Sequence, residues 1–267
     1  MIVHRITTVD LPELELYRTL RENTQHWRRG MFIAEGDKCV LRLIESRLPV
    51  QSFLLSEEWF SELETTLSDE LYGDTEVYVG SEKLLDSIVG FRMHKRIMAM
   101  APIPASPPLE RLAYAPHGSN VHVAVEGIAD SENMGTMIRS FDALGAGSMI
   151  AGNDSSNPWL RRSVRVSMGS VFSLPVYSVP DVLATVEKCK KLFNWHVVAT
   201  LPEGGRPRMN VPADRPLCLL IGSEAHGLTG EALALADTVY TIPMHGGVES
   251  LNVATAAAIA LYEAVRR

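Results

Sequence analysis

Apolar and polar positions alternate along this chain in two regimes. In the first hundred residues, short apolar runs at 31–34, 51–55, 76–79 and 97–101 are interleaved with stretches of helical period at 38–46, 57–67 and 82–88. This is the pattern of strands separated by amphipathic helices, and it predicts a small α/β sandwich. In FIAEG followed by DKCVLRLIES, a strand gives way at Gly36 to a helix that turns Val40, Leu41, Ile44 and Leu48 inward. In the second half the alternation is more regular, with strands expected at 121–125, 148–151, 174–177, 196–200, 217–221 and 239–242, and helices at 136–144, 181–192, 230–236 and 251–266. Continuous apolar strands separated by helices predict a parallel sheet covered on both faces. Ligands of such sheets bind beyond the carboxyl ends of the strands. Between the regimes lie Pro102, Pro104, Pro107, Pro108 and Pro116, each fixing φ and removing a backbone donor. The chain is therefore expected to divide into 1–103, a linker at 104–118, and 119–267. No internal repeat or low-complexity tract is present.

Composition narrows the picture. A hydrophobic fraction of 46% over 267 residues suffices for two modest cores. No run approaches the ~18 apolar residues of a membrane span, and the first twenty residues carry no apolar block of a signal peptide, so a soluble cytoplasmic protein with no membrane partner is expected. Cys39, Cys189 and Cys218 are odd in number and widely spaced, without a C-x-x-C or a nearby His. That predicts neither a disulfide framework nor a metal site. The net charge of −7 argues against coating nucleic acid through bulk charge. Local basic patches remain at His26-Trp27-Arg28-Arg29, at Phe91-Arg92-Met93-His94-Lys95-Arg96, and at Arg161-Arg162 with Arg165. Taken singly each reads as ordinary solvated surface. The aromatics beside the first two also suit stacking on single-stranded RNA bases.

Three strand-end segments carry candidate chemistry. In VEGIADSENMGTMIRSFDALGAG, Asp130 or Ser131 is a helix cap. Arg139 lies on the face of Gly135 among apolar side chains, which predicts a partly enclosed cation in need of a partner. In LCLLIGSEAHGLTGEAL a buried strand ends at Gly222, where a glycine lets backbone approach a ligand closely; Glu224 reads either as a helix cap or as a site residue. In IPMHGGVESLNVATAAAIALYEA, Ser250 reads as the N-cap of the last helix and Asn252 as a residue of its first turn. The alanines behind predict close packing against another element or a second subunit.

Together the three segments resemble the SpoU (TrmH-like) branch of the SPOUT methyltransferases. Asn133-x-Gly135-x-x-x-Arg139 is similar to that family's first motif, Ile221-Gly222-Ser223-Glu224-x-x-Gly227-Leu228 to its second, and Ile242-Pro243-Met244 with Ser250-Leu251-Asn252-Val253 to its third. The resemblance implies S-adenosylmethionine-dependent methylation of a ribose 2′-hydroxyl in RNA, ribosomal RNA before transfer RNA. It also implies a deep trefoil knot, a feature nearly absent from proteins at large, a homodimer through the knotted domain, and a first domain similar to ribosomal protein L30e that binds the RNA substrate. By the same resemblance Arg139, Asn133, Glu224, Ser250 and Asn252 are catalytic, and Thr200, Gly222, Ile242, Met244, Leu251 and Val253 hold the cofactor. The RNA-binding candidates are Arg28, Arg29, Lys95, Arg96, Arg161 and Arg162. A guanidinium is permanently charged, so Arg139 either passes a proton onward or steadies the developing alkoxide or a neighbouring phosphate. The competing readings are a catalytically silent RNA-binding protein of the same fold and a Rossmann-type dehydrogenase. The second lacks a G-x-G-x-x-G after any expected strand.

Overall fold

The computed structural model describes residues 1–20, 23–89, 95–113, 119–245 and 250–266. In chain order these form β1 (Ile2–Arg5), α1 (Glu15–Arg18), α2 (Asn23–Arg28), β2 (Met31–Glu35), α3 (Asp37–Glu45), β3 (Ser52–Ser56), α4 (Glu57–Leu67), β4 (Glu76–Gly80), α5 (Glu82–Val89) and β5 (Ile97–Pro102). There follow β6 (Val121–Val125), α6 (Ser131–Leu144), β7 (Ser148–Gly152), α7 (Arg161–Val166), β8 (Val176–Val179), α8 (Val182–Phe193), β9 (His196–Thr200), β10 (Leu217–Ile221), α9 (Gly230–Leu235), β11 (Thr238–Tyr240) and α10 (Val253–Val265). They gather into two compact units, Met1–Pro104 with Trp159–Phe172, and Ala105–Pro158 with Ser173–Arg267.

The first unit carries a mixed sheet of order β1-β4-β3-β5-β2, in which β5 runs antiparallel to both β3 and β2. Ser56 ends β3 and caps α4, its hydroxyl accepting from Trp59 N–H at 3.4 Å. Ile33, Leu54 and Met98 from the sheet pack with Leu14 and Tyr17. β1 was not expected: IVHR is short, and Ile2 is 47% exposed, so it carries no buried pattern. Nor was α7, a single short helix whose segment completes this unit.

In the second unit a sheet of order β11-β9-β10-β6-β7-β8 is parallel throughout. The strands expected at 121–125, 196–200 and 217–221 form with those bounds, since each is fully apolar or nearly so and buried on both faces. Other expected bounds shift. α6 begins earlier than residue 136 because Asp130 caps it, its carboxylate accepting from Glu132 N–H at 2.8 Å. The strand expected at 174–177 is Val176–Val179, and that expected at 239–242 is Thr238–Tyr240. The proline-rich stretch also holds structure, a 3₁₀ turn at Leu109–Ala113 that buries Leu112 against Tyr177 and Val186; residues 114–118 of the expected linker lie outside the described residues. Among the described residues no helix is long and apolar enough to cross a membrane, and no cluster of His, Cys, Asp and Glu is placed to hold a metal. The three cysteines are free and buried, and burial pushes the Cys39 thiol up to about 12 and Cys189 up to about 11, which keeps both protonated and unreactive.

Candidate functional site

The second sheet reverses its strand order between β6 and β10, which pair side by side in parallel register from Val121↔Leu217 to Val125↔Ile221. The segments leaving these two strands therefore emerge together at one edge, the place where open parallel sheets bind ligands. Beside them, the ends of β9, β10 and β11 and the start of α10 enclose a cavity of about 780 Å³. All six residues expected to hold a cofactor, Thr200, Gly222, Ile242, Met244, Leu251 and Val253, line it, as do Glu224, Ser250 and Asn252. Residues 246–249, between the two halves of the third motif, lie outside the described residues.

The segment after β10 is a tight turn. Ser223 and Gly227 exchange backbone hydrogen bonds at 3.1 and 3.0 Å, with Gly227 at φ +68. At Gly222 the turn itself leaves no room for a side chain. A Cβ there would collide with the backbone of Gly227 and Leu228. Glu126, which the sequence reading passed over, holds the far end of the turn: its carboxylate accepts from Thr229 N–H at 3.0 Å and Thr229 Oγ1 at 2.7 Å. Glu224 caps no helix, since Thr229 caps α9. The signal for Glu126 was available, an acid directly after an apolar strand.

The three motifs meet at Asn133. Its Nδ2 donates to Glu224 Oε1 at 2.7 Å, and its Oδ1 accepts from Asn252 Nδ2 at 2.9 Å. Asn252 in turn uses its Oδ1 to accept from the N–H groups of Ala254 and Thr255 at 3.0 and 3.3 Å. Asn252 is thus the N-cap of α10, and the cap expected at Ser250 is corrected. Ser250 sits two residues before that cap and instead lines the cavity. Each amide in this relay has its donor and acceptor assigned by its neighbours, which fixes the orientation of all three side chains. Arg139 is not among the lining residues and is exposed, with no partner among the described residues. The expectation of partial enclosure fails because the apolar residues around it in sequence, Met134, Met137, Ile138 and Phe141, are buried on the opposite face of α6.

The basic patches separate by what their cations touch. Arg28 and Trp27 are exposed, Trp27 at 53%, while His26 is buried and its Nε2 meets Leu16 O at 2.6 Å. Arg29 pairs with Glu15 at 2.9 Å. Lys95 is exposed, whereas Arg96 pairs with Glu82 at 3.0 Å and Asp86 at 3.8 Å; residues 91–94 of that patch lie outside the described residues. Arg162 is exposed. Arg161 is a structural cation, contrary to the expectation of a surface contact. It donates through Nε at 2.8 Å and approaches through Nη2 at 2.6 Å the carboxylate of Glu35, which is fully buried and has as its other cation only Arg165, at 3.9 Å.

The SpoU rRNA Methylase family model matches residues 120–262 of the chain. The 23S rRNA (guanosine(2553)-2'-O)-methyltransferase RlmP of Bacillus subtilis is 26% identical over 92% of this chain and 93% of its own length. A 23S rRNA (uridine(2479)-2'-O)-methyltransferase of Streptomyces viridochromogenes is 29% identical over 98% of this chain and 92% of its own. Among solved structures, the AdoMet-bound rRNA methyltransferase from Sinorhizobium meliloti aligns with a TM-score of 0.86 at 26% identity, covering 99% of this chain and 98% of that one.

Proposed function

Since this chain belongs to the SpoU rRNA methylase family, we propose that it transfers the methyl group of S-adenosylmethionine to a ribose 2′-hydroxyl of RNA, with ribosomal RNA as the substrate. The observation that carries the reading is the Asn133 amide joining Glu224 and Asn252 at the edge of a cavity of about 780 Å³. That volume falls in the range of small-ligand sites, roughly 300–1,000 Å³. The wall suits a nucleoside: Ile242, Leu251 and Val253 give apolar contact, and the backbone of the turn after Gly222 gives polar edges for orientation.

The cofactor supplies an activated methyl group on a cationic sulfur. What the chain supplies is position and charge. The relay of Asn133, Glu224 and Asn252 holds the edge of the site rigid, so that the sugar oxygen is held in line with the methyl and little reorganisation remains. Ser250 offers a hydroxyl to the sugar. Arg139, a cation without an internal partner, grips the substrate phosphate or steadies the developing alkoxide.

The finer features follow from the same reading. The segment 250–253 shares one cavity with the ends of β9 and β10, which supports a chain end threaded as a deep trefoil knot. Ile259 and Tyr262, exposed at 38% and 49% and one turn apart on α10, support a homodimer through this unit. Trp27 beside Arg28 supports RNA binding by the first unit, in the manner of an L30e-like domain. A cytoplasmic location fits a substrate of this kind. The experiment is tritium transfer from labelled S-adenosylmethionine to total RNA of a strain lacking the gene. Arg139→Ala abolishes transfer while cofactor affinity stays within a few-fold; lost affinity with retained turnover contradicts the assignment.

A further inference from the structure

Every residue from Gly222 to Leu228 lines the cavity, so the shape of its wall depends on where this turn is held. The turn is stiff within itself. Ser223 and Gly227 exchange backbone hydrogen bonds, and His226 N–H donates to Ser223 Oγ at 3.0 Å. A stiff loop still needs anchors to the sheet, and the residue that follows β6 supplies one at each end. Glu126 N–H donates to Ile221 O at 2.9 Å, which carries the β6–β10 ladder one step past the strand and fixes the turn where it starts. The Glu126 carboxylate, on a residue 9% exposed, accepts from Thr229 N–H at 3.0 Å and from Thr229 Oγ1 at 2.7 Å, which fixes the turn where it ends. Next to it Gly127, at φ +69, leaves room for the turn to sit down: a Cβ there would come within 3.2 Å of Ser223 Cβ.

We propose that Glu126 is a positioning residue for the methyl donor, acting through Thr229 on the turn that walls the cavity. The inference rests on the reading of that cavity as the S-adenosylmethionine site. The place calls for a carboxylate. Thr229 presents two donors, and an ionised acid accepts both, with no donor of its own to misplace. Glutamine would turn its NH2 group toward one of them. The Thr229 hydroxyl is committed on both sides, donating to Glu126 and accepting from Ala232 N–H at 3.2 Å as the cap of α9. A turn released at this end samples other positions, and the apparent affinity for the donor falls by the fraction of time spent away from the binding geometry. A bound donor restores the wall, so turnover at saturation stays near its wild-type value.

The test uses the full chain and the variants Glu126→Gln, Thr229→Val and Thr229→Ser. For each, the S-adenosylmethionine Kd is measured by calorimetry well below the melting temperature, and KM and kcat on total RNA of a strain lacking the gene. The expected result is a cofactor Kd and KM raised ~10-fold or more in Glu126→Gln and Thr229→Val, as loss of a hydrogen bond to a charged group predicts, with kcat at saturating cofactor within a few-fold of wild type. Thr229→Ser keeps the hydroxyl and restores near wild-type affinity. A wild-type Kd in a folded Glu126→Gln overturns the proposal, and so does a fall in kcat with Kd unmoved. If Glu126→Gln does not fold, the threonine pair decides: equal Kd in Thr229→Val and Thr229→Ser overturns the proposal, and the ~10-fold gap between them supports it. Wild-type protein that neither binds S-adenosylmethionine nor transfers its methyl overturns the functional reading, whereas wild-type binding and transfer with Kd unmoved in the variants overturns this inference alone.

Discussion

Asn133 serves two partners with one amide, donating to Glu224 and accepting from Asn252. Substitution by Asp removes the donor and sets a carboxylate against Glu224, so Asn133→Asp is expected to lower kcat by ~10²-fold, as loss of one oriented donor does elsewhere, with cofactor affinity by calorimetry little changed. A second residue makes the fold sensitive to acid. His122 is 1% exposed, stacks on Trp195 with ring centroids 4.4 Å apart, and meets Ser148 Oγ through Nδ1 at 2.8 Å, while Nε2 is buried without a partner. Burial therefore pulls its pKa down to about 4. The unfolded chain takes up this proton near pH ~6.5 and the folded chain only near 4. Its contribution to stability is thus fully present above ~6.5 and is lost as pH drops toward 4, by about 3 kcal/mol in all. Urea unfolding at pH 7.5 and pH 5 checks this, and the fall is smaller in His122→Gln.

At the scale of elements, the start of α10 carries two duties in one side chain. Asn252→Ser keeps a cap for Ala254 and Thr255 but cannot reach Asn133, so the melting temperature is expected to hold while kcat falls. Asn252→Ala loses both, and costs about 1 kcal/mol of stability besides. A melting curve and a kcat for each variant separate the roles. The turn after β10 has no such tolerance. Gly222→Ala drives a methyl into the backbone of Gly227 and Leu228, and the expected cost is at the upper end of the ~1–3 kcal/mol of overpacking, with cofactor affinity falling at least tenfold by calorimetry. The regular elements were legible where burial forces a pattern: LCLLI and VHVAV read as strands because both faces are covered. IVHR and the short α7 left no such pattern, one being an edge strand with an exposed face and the other a helix of six residues.

At the scale of the whole molecule, the first unit is completed by a segment from the second half of the chain. Trp159 and Phe172 pack on Phe32 at 5.1 and 5.5 Å between ring centroids, and Arg161 neutralises Glu35. Arg161→Ala leaves the buried carboxylate with only the longer pair to Arg165 at 3.9 Å and is expected to cost about 3 kcal/mol, read by urea unfolding. For the same reason a fragment ending at residue 104 should show no cooperative unfolding transition, whereas the full chain does. The sequence by itself determined the alternation of strands and helices, the parallel sheet, and the three strand-end motifs with the family they resemble, because each rests on local period or on residues a few positions apart. Only the tertiary structure decided that Asn133 joins partners 91 and 119 residues away, that Asn252 rather than Ser250 caps α10, and that Arg161 is a buried counter-ion while Arg28 is left to solvent. A side chain's chemistry is written in its type, but its partner is chosen by the strands that bring distant segments to one edge, and period carries no record of that choice.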